Sequence, residues 1–501
     1  MPDTLLPGTT SPPSWIGDLT RVPFWVYHDG SLPKVEQERI FEGPVWNYLC
    51  LEDEIANPGD WRTTVVGRMP VVVARDNDGS IAAFENRCAH RGALICLDNA
   101  GTGAKDFQCV YHAWRYDLRG NLQSVAFQHG VKGKGGMPPG FRVADHGPRK
   151  LRITSLHGFV FGTFSDETPA IEDFIGPEVL ARFDRILGGR KIEVIGRFVE
   201  VLPNNWKLYA ENARDSYHAS LLHLFFATFK LNRLSQGGGL IVSPNGGCSV
   251  SETIAPTEAD DNAYAGMRSV DEDYRLKDIR LIDVVDEHPD RVRHQIVTVF
   301  PNLVLQKTQN AMAIRFFTPN AVHRTHLEWT YFGYADDTPE MRKRRLRHLN
   351  LGGPAGFVSM EDGCVGGFVE RGIATAEAES AIVGMGGVGI ESQATRATEA
   401  AVRGFWSLWR RMTGLRASYC GWQSSTRPMP RRSIPTGWNR GPISLSKTAF
   451  TRSRRPRITS AATAPVSSMP IPAQCCRTAL PRYERQIFMS GRATAISSAF
   501  Q

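Results

Sequence analysis

Short runs of alternating or β-branched apolar residues recur between residues 61 and 165. These strand-like runs cover residues 62–66, 70–74, 81–84, 151–153 and 159–164. Turn-forming residues separate them, as in Asp76-Asn77-Asp78-Gly79. Short strand patterns bounded by such turns are typical of an all-β domain, which we predict over residues 45–165.

The pattern changes in the following part of the chain, where longer strand-like runs alternate with helical stretches. The strand-like runs cover residues 193–201, 293–300, 303–307, 312–317 and 326–332. Residues 395–412 carry apolar side chains at helical spacing, and the Gly-rich, charged residues 236–290 predict loops over a pocket. We therefore predict an α+β domain over residues 166–415, with an antiparallel β-sheet covered by helices.

The two ends of the chain differ from these domains. Residues 1–44 predict a loose arm followed by a helix. Residues 421–501 hold 13 of the 59 Lys and Arg residues but one of the 51 acidic residues, which leaves 46 basic and 50 acidic residues in the first 420. Nucleic-acid binding therefore has no support in the body of the protein. For the tail, 416–501, we weigh a disordered basic segment against a frame-shifted gene end, and prefer the second interpretation.

The cellular compartment is predicted from two features that the sequence does not show, a transmembrane segment and a secretion signal. It has no apolar run of about 18 residues, so we expect no transmembrane helix. The start Met1-Pro2-Asp3-Thr4 has no basic and apolar regions of a secretion signal, so we expect a cytoplasmic protein. Nine scattered cysteines favour reduced thiols or metal ligands over a disulfide framework.

Two cysteine–histidine pairs lie inside the predicted all-β domain. Cys88-Ala89-His90 is followed, after 18 residues, by Cys109-Val110-Tyr111-His112. Structural zinc loops usually have two to four residues between the first two ligands. The single residue between Cys88 and His90 is better suited to a Rieske centre, in which two thiolates bind one iron of a [2Fe–2S] cluster and two imidazoles bind the other. Zinc stays the alternative.

A second histidine pair lies in the α+β domain, after a helix that Asn205 can cap. His218 and His223 are five positions apart, and Asp215 precedes the first by three. Residues five apart on a helix differ in direction by about 140°, so the imidazoles share a face only if the helix bends or ends between them. Two imidazoles and one carboxylate suit an Fe(II) ion with an open face; the alternative is two core histidines beside a capping Asp.

Together these motifs resemble those of a known family, the large (alpha) subunits of Rieske-type aromatic-ring-hydroxylating dioxygenases, from about residue 21 to 414. The motifs that carry the resemblance are Cys88-x-His90, Cys109-x2-His112, Asn205-Trp206-Lys207, Glu211-Asn212 and Asp215-x-Tyr217-His218-x4-His223. The resemblance implies an all-β Rieske domain, a catalytic domain of the helix-grip type, a Rieske [2Fe–2S] cluster and a mononuclear non-haem Fe(II). It also implies Asp362 as the third iron ligand, with the adjacent Glu361 as alternative.

The resemblance further implies partners and a role for two polar residues. We expect a trimer of large subunits with three small beta subunits (α3β3). Electrons are expected from an NADH-dependent reductase, possibly through a ferredoxin, because this chain has no glycine-rich nucleotide fingerprint. Asp215 and Asn212 are assigned to the catalytic machinery, with Asp215 bridging His218 and the Rieske histidine His112 of an adjacent chain.

The substrate expected from the resemblance is an aromatic carboxylate, with terephthalate preferred. Arg315 and Arg396 match positions expected to bind its carboxylates, and bidentate arginine suits that group. Salicylate, anthranilate or 2-halobenzoate are alternative substrates. A zinc-stabilised small-molecule-binding protein without redox chemistry is the alternative of a different class.

Overall fold

The computed structural model describes residue 15 and residues 17–255, 275–354 and 356–415. The predicted tail 416–501 and most of the predicted N-terminal arm lie outside the described residues. The strands are β1 Arg21–Pro23, β2 Asn47–Leu51, β3 Trp61–Val66, β4 Met69–Arg75, β5 Ile81–Glu85, β6 Ala100–Gly101, β7 Phe107–Gln108, β8 Arg115–Tyr116, β9 Leu122–Ser124, β10 Lys150–Leu156, β11 Phe159–Thr163, β12 Ile192–Leu202, β13 Gly238–Val242, β14 Ser249–Ile254, β15 Val292–Val299, β16 Leu303–Thr308, β17 Ala311–Ala321, β18 Arg324–Tyr334 and β19 Ser380–Ile382.

The helices are mostly short in the first half of the chain and longer towards its end. They are α1 Trp25–His28, α2 Leu32–Glu36, α3 Ile171–Ile175, α4 Pro177–Leu187, α5 Trp206–Asn212, α6 Ala219–Leu222, α7 Leu224–Thr228, α8 Pro339–Gly352, α9 Ser359–Ile373 and α10 Ala400–Thr413, with a π-helical turn at Gln37–Phe41. None of the described helices has the length and apolar character needed to cross a membrane.

The first large sheet is antiparallel and has the strand order β2-β11-β10-β5-β4-β3-β6. Successive side chains of a strand point to opposite faces, and β4 shows the result. Val71 and Val73 join the main core of the protein, whereas Val72 and Ala74 join a second core. This second core lies against a small sheet, β7-β8-β9, that follows the first predicted cluster ligands. The prediction of an all-β domain in this part of the chain is confirmed.

The second large sheet is also antiparallel, with the order β12-β18-β17-β16-β15-β14-β13. Helices α5, α8, α9 and α10 contact its strands. The long central strand β17 is buried along most of its length, as expected for a strand between two neighbours and under helices. The predicted α+β class, with an antiparallel sheet covered by helices, is confirmed.

Two predictions of individual elements were wrong. Residues 236–290 were predicted as loops, but they contain β13 and β14. The glycines of β13 permit a close backbone contact with Gln393. A β-carbon at Gly239 would lie 2.6 Å from the carbonyl oxygen of Gln393, and the backbone of Gln393 is hydrogen-bonded to that of Leu240. The helix predicted over 395–412 begins at Ala400, since the Thr398 hydroxyl accepts the hydrogen bond of the Ala400 N–H.

A buried ion pair joins the N-terminal segment to helix α5. The Lys207 ammonium lies 2.8 Å from Glu36 Oε1, and both side chains are almost fully buried. Two indole N–H groups, of Trp206 and Trp409, donate to the same carboxylate at 2.8 and 3.0 Å. The carboxylate therefore has three donors, which compensate the loss of its hydration.

We predict that Lys207→Met destabilises the protein by about 3–5 kcal/mol, because it leaves the Glu36 carboxylate buried without a cation. The measurement is a urea titration followed by tryptophan fluorescence. Lys34→Met is the matched control, since Lys34 pairs with Glu38 at the surface. Its loss is expected to leave the urea concentration at the midpoint of unfolding unchanged. Equal midpoints for the two variants would contradict the prediction.

Candidate metal centres and pocket

The two histidines of the catalytic motif lie where the chain stops being helical. Helix α5 starts after Asn205, whose side chain accepts a hydrogen bond from the Lys207 N–H, and ends at Asn212. His218 and His223 then flank the single turn of α6. Helix α6 thus ends at Leu222, between the two imidazoles, which is the condition that the five-residue spacing requires.

Helix α9 brings a carboxylate to these imidazoles. Asp362, in its first turn, places Oδ1 3.4 Å from the Nε2 atoms of both His218 and His223. The two imidazole rings have centroids 5.3 Å apart. Ligands on one ion at about 2.1 Å in tetrahedral or octahedral geometry are separated by about 3 Å. The three donor atoms therefore fit a single mononuclear ion.

Polar partners fix the orientation of each of these side chains. His218 Nδ1 lies 3.1 Å from Asp215 Oδ2, and His223 Nδ1 lies 2.9 Å from Glu361 Oε2. The Asn212 amide donates to Asp362 Oδ1 at 3.1 Å. Of the two adjacent acids, Asp362 thus faces both Nε2 atoms, while Glu361 lies behind one imidazole. Such outer contacts orient ligands and set their basicity.

The electrostatics of this group correspond to a cation site. Burial lowers the pKa of His218, but the carboxylates of Asp215 and Asp362 outweigh burial and raise the pKa to about 10. Burial alone would raise the pKa of Asp362, yet the neighbouring His218 and His223 outweigh burial and lower it. Without a metal, a proton on His218 supplies the positive charge that the carboxylates require.

The second group of predicted ligands lies in the first domain. Cys88 and Cys109 are buried, and burial together with the neighbouring Cys88 thiol raises the pKa of the Cys109 thiol. The rings of His90 and His112 are 4.4 Å apart. Both Nδ1 atoms are buried and have no hydrogen-bond partner in the described structure. Two thiols and two unpartnered imidazole nitrogens are the donor set of a Rieske cluster, so the residues present fit that group.

Neighbouring aromatic residues support this pair of loops. The Tyr116 hydroxyl accepts a hydrogen bond from the Ala89 N–H at 3.0 Å and lies 3.1 Å from Cys88 Sγ. Because its oxygen already accepts from the backbone, the hydroxyl proton is available to the sulfur. The Trp114 ring stacks on His90 with centroids 4.8 Å apart. No sequence pattern pointed to Tyr116 or Trp114, although both lie within four residues of His112.

A pocket opens onto the His218–His223–Asp362 group, with about 720 Å³ of space free of protein atoms when its open mouth is included. Its walls combine apolar groups with many polar ones. The lining residues farthest from the metal motif in sequence are Asn232, Ser251, Thr253, His294, Ile296, Gln306, Thr308, Arg315 and Arg396. Burial and the positive charge of Arg396 lower the pKa of His294 to about 3. His294 is therefore neutral, and the arginines supply the positive charge of this wall.

Both predicted arginines line this pocket and are buried. Arg315 donates to the Tyr209 hydroxyl at 3.1 Å, and its guanidinium lies over the Trp329 ring. Arg396 donates to Asn232 Oδ1 at 2.7 Å and to the carbonyl of Arg233. These two sets of contacts share no residue, so different parts of the chain hold the two arginines. Asn232 and His294 are further pocket residues that the sequence analysis missed, because isolated polar residues carry no spacing signal.

This fold and these centres define a class of enzyme. Residues 45–133 match the Rieske [2Fe-2S] domain family, and residues 189–414 match the catalytic domain of the ring hydroxylating alpha subunit. The chain belongs to the family of Rieske-type ring-hydroxylating dioxygenase large subunits, enzymes with a Rieske cluster and a mononuclear non-haem iron. The alternatives of a zinc loop and of a zinc-stabilised binding protein are thereby excluded.

The similarity to individual relatives covers about four fifths of this chain. The chain is 55% identical to the alpha 2 subunit of the terephthalate 1,2-dioxygenase terminal oxygenase component from Comamonas sp., over 79% of this chain and 96% of that one. It is 41% identical to the anthranilate 1,2-dioxygenase large subunit of Burkholderia cepacia, over 79% and 94%. The salicylate 5-hydroxylase large oxygenase component of Ralstonia sp. is 39% identical over 82% and 99%.

Solved structures show the same fold. The crystal structure of naphthalene 1,2-dioxygenase from Rhodococcus sp. bound to indole superposes with a TM-score of 0.65 at 22% identity. The superposition covers 78% of this chain and 94% of that one. The fold assignment therefore does not depend on the sequence relatives alone.

We predict that Tyr116→Phe lowers the reduction potential of the Rieske cluster, because a hydrogen bond to a ligand sulfur stabilises the more negative reduced state. One such bond, worth about 1 kcal/mol, corresponds to a shift on the order of 40 mV. The potential is measured by redox titration of the cluster's paramagnetic signal. Tyr48→Phe is the control, since Tyr48 is buried in the main core, apart from the core that contains the cluster cysteines; equal shifts in both variants would rule out a specific role of the Tyr116 hydroxyl.

Proposed function

We propose that this enzyme is the terminal oxygenase of a multicomponent system that cis-dihydroxylates an aromatic carboxylate, with terephthalate as the preferred substrate. Both atoms of O2 add to adjacent ring carbons and give a cis-diol. The two electrons come from NADH, which is oxidised to NAD⁺ by a separate reductase, and with two protons in total the reaction balances. A ferredoxin between reductase and oxygenase is compatible with this scheme.

In this proposal, Cys88, Cys109, His90 and His112 hold the cluster, and a separate group of residues holds the iron. When bound, the cluster supplies single electrons and the iron supplies the place where O2 is activated. His218, His223 and Asp362 are the iron ligands, because their donor atoms converge within ligand distance of one point. Asn212 is a positioning residue that holds Asp362 by its amide.

The observation that carries the substrate class is the buried cation Arg315 on the pocket wall. Its side chain is 4% exposed, and its Nε has no hydrogen-bond partner in the described structure. No described carboxylate forms an ion pair with it. A buried cation without an anionic partner is costly, so an anionic group of the substrate is the expected partner. Pairing with a carboxylate would compensate this cost and orient the ring.

Arg396 supplies a second cation that lines the same pocket. Two buried arginines in one pocket favour a substrate with two carboxylates, such as terephthalate, because the planar guanidinium matches a carboxylate with two parallel hydrogen bonds. The names of the relatives agree with a carboxylate substrate, since terephthalate, anthranilate and salicylate all carry that group. Salicylate, anthranilate or 2-halobenzoate are the alternatives, each with one carboxylate.

We also propose that the active unit is a trimer of this chain with small beta subunits, in which the cluster of one chain serves the iron of the next. No hydrogen bond joins Asp215 to His90 or His112 within the described chain. Exposed apolar residues surround both centres, which suits burial against a neighbour. They are Val110, Tyr111 and Phe127 near the cluster ligands and Leu221, Leu224 and Met360 near the iron ligands. Asp215 would then accept hydrogen bonds from His218 and from His112 of the adjacent chain.

We predict that Asp215→Asn retains both metal centres but slows electron transfer from the reduced cluster about 100-fold or more. The amide cannot accept both hydrogen bonds as a carboxylate does. The measurement is a single turnover of reduced enzyme with O2 and substrate, followed by the absorbance of the cluster, together with iron and sulfide analysis. Normal turnover in this variant would refute the bridging role.

We predict that the wild-type enzyme prefers terephthalate over monocarboxylates and that Arg315→Leu loses about 100-fold or more in kcat/KM for terephthalate, the cost of leaving one partner of a buried charge pair alone. Turnover is compared for terephthalate, salicylate, anthranilate and 2-chlorobenzoate. Arg324→Leu, at an exposed arginine, is the control.

A wild-type preference for any monocarboxylate would contradict the prediction that terephthalate is the preferred substrate. An unchanged kcat/KM in Arg315→Leu would refute the role of that arginine and leave the metal centres untouched. The two failures are therefore distinguishable.

A further inference from the structure

A second group of two histidines and one carboxylate lies away from the pocket. His28 ends helix α1, His323 occupies the turn between β17 and β18, and Glu370 lies near the end of α9. Glu370 Oε1 is 2.5 Å from His323 Nδ1 and 3.6 Å from His28 Nδ1. One donor atom from each residue lies within 4.8 Å of the others, as in the His218–His223–Asp362 group.

His28 is the residue whose surroundings require an explanation. Its side chain is 10% exposed. Its Nε2 is buried without a hydrogen-bond partner, and its Nδ1, at 3.6 Å from Glu370, is beyond hydrogen-bond distance. Buried polar atoms are almost always paired. The separation of His28 Nδ1 from Glu370 Oε1 is close to that of two ligands on one ion, so a cation between them would give Nδ1 a partner.

A single residue holds the three segments in register. The Asn205 N–H donates to Glu370 Oε2 at 2.9 Å. Its side-chain amide donates to the carbonyls of Tyr27 and Val322, at 2.9 and 2.7 Å. Those are the residues directly before His28 and His323. The backbones that carry all three donor groups are thus tied to one buried side chain, which is the outer support that metal sites require.

We propose that His28, His323 and Glu370 form a further metal site, separate from the cluster and the iron, for a divalent transition cation of the zinc type. Two imidazole nitrogens and one carboxylate oxygen are common zinc ligands, and water completes the tetrahedron. Water has access because the His323 side chain is 55% exposed. The cation replaces the proton shared by His323 and Glu370, which is released, and the exposed His323 ring moves outward by about 1 Å to reach ligand spacing.

The site would be a cross-link between distant parts of the chain. Glu370 lies eight residues after Asp362 on α9, which is about 12 Å along the helix, so it is separate from the iron. A cation there joins the N-terminal segment, the β17–β18 hairpin and α9. Because the unfolded chain cannot bring these segments together, binding would stabilise the folded protein.

The test titrates the full-length, iron-loaded enzyme with Zn²⁺ while its iron content is monitored. We expect one Zn²⁺ per chain to bind without loss of iron, and the melting temperature to rise. His323→Asn, an exposed position, is expected to weaken Zn²⁺ binding about 100-fold or more and to abolish the rise. Glu370→Gln is expected to do the same. His326→Asn, on the same hairpin but outside the cluster, is the matched control and is expected to behave as wild type.

Three results would overturn the proposal. The first is an absence of Zn²⁺ binding to wild-type enzyme. The second is Zn²⁺ uptake matched by an equal loss of iron, which assigns the binding to His218, His223 and Asp362. The third is equal affinity in wild type and His323→Asn. Cobalt(II), used as a spectroscopic probe, gives an independent reading, since its absorption bands report imidazole and carboxylate ligation and would be lost in His323→Asn.

Discussion

The antiparallel pairing of helices α5 and α9 is the constraint on which two sites depend, the mononuclear iron site and the proposed His28–His323–Glu370 site. At one end, the Asn205 N–H donates to Glu370, near the end of α9. At the other end, the Asn212 amide donates to Asp362, in its first turn. Glycines on α9 permit the close approach, because a β-carbon at Gly366 would overlap the Asn204 side chain. These contacts at both ends of the helix pair fix the position of Asp362 relative to the histidines and the position of Glu370 relative to the N-terminal segment.

Charge balance explains why the His218–His223–Asp362 group is stable as a unit. Three carboxylates, of Asp362, Asp215 and Glu361, surround the two imidazoles. A dication offsets most of this negative charge, and in its absence the proton on His218 takes over part of that task. Because iron binding must displace this proton, metal affinity and protonation are linked at this histidine. The carboxylates that orient the imidazoles are thus also the groups that retain charge at the centre.

Much of the fold and of the iron group could be predicted because the signals are local. The runs predicted at 62–66, 70–74 and 81–84 lie within β3, β4 and β5, where alternation reflects two different cores. The spacing of His218 and His223 correctly required a helix end between them. By contrast, β13 was missed because its glycines serve a close backbone contact with Gln393, which lies far away in the sequence. Local pattern cannot report such a contact.

The same distinction separates the two histidine–carboxylate groups. Two ligands of the first lie in one motif, so the sequence pointed to them, and only Asp362 needed the family resemblance. The second draws each ligand from a different segment, and no spacing connects His28, His323 and Glu370. Their meeting depends on Asn205, which the sequence analysis interpreted as a helix cap. It is a cap, but its amide nitrogen and backbone N–H are free for other partners. One residue thus satisfies a local rule and a tertiary one at once, and only the local rule can be read from the sequence.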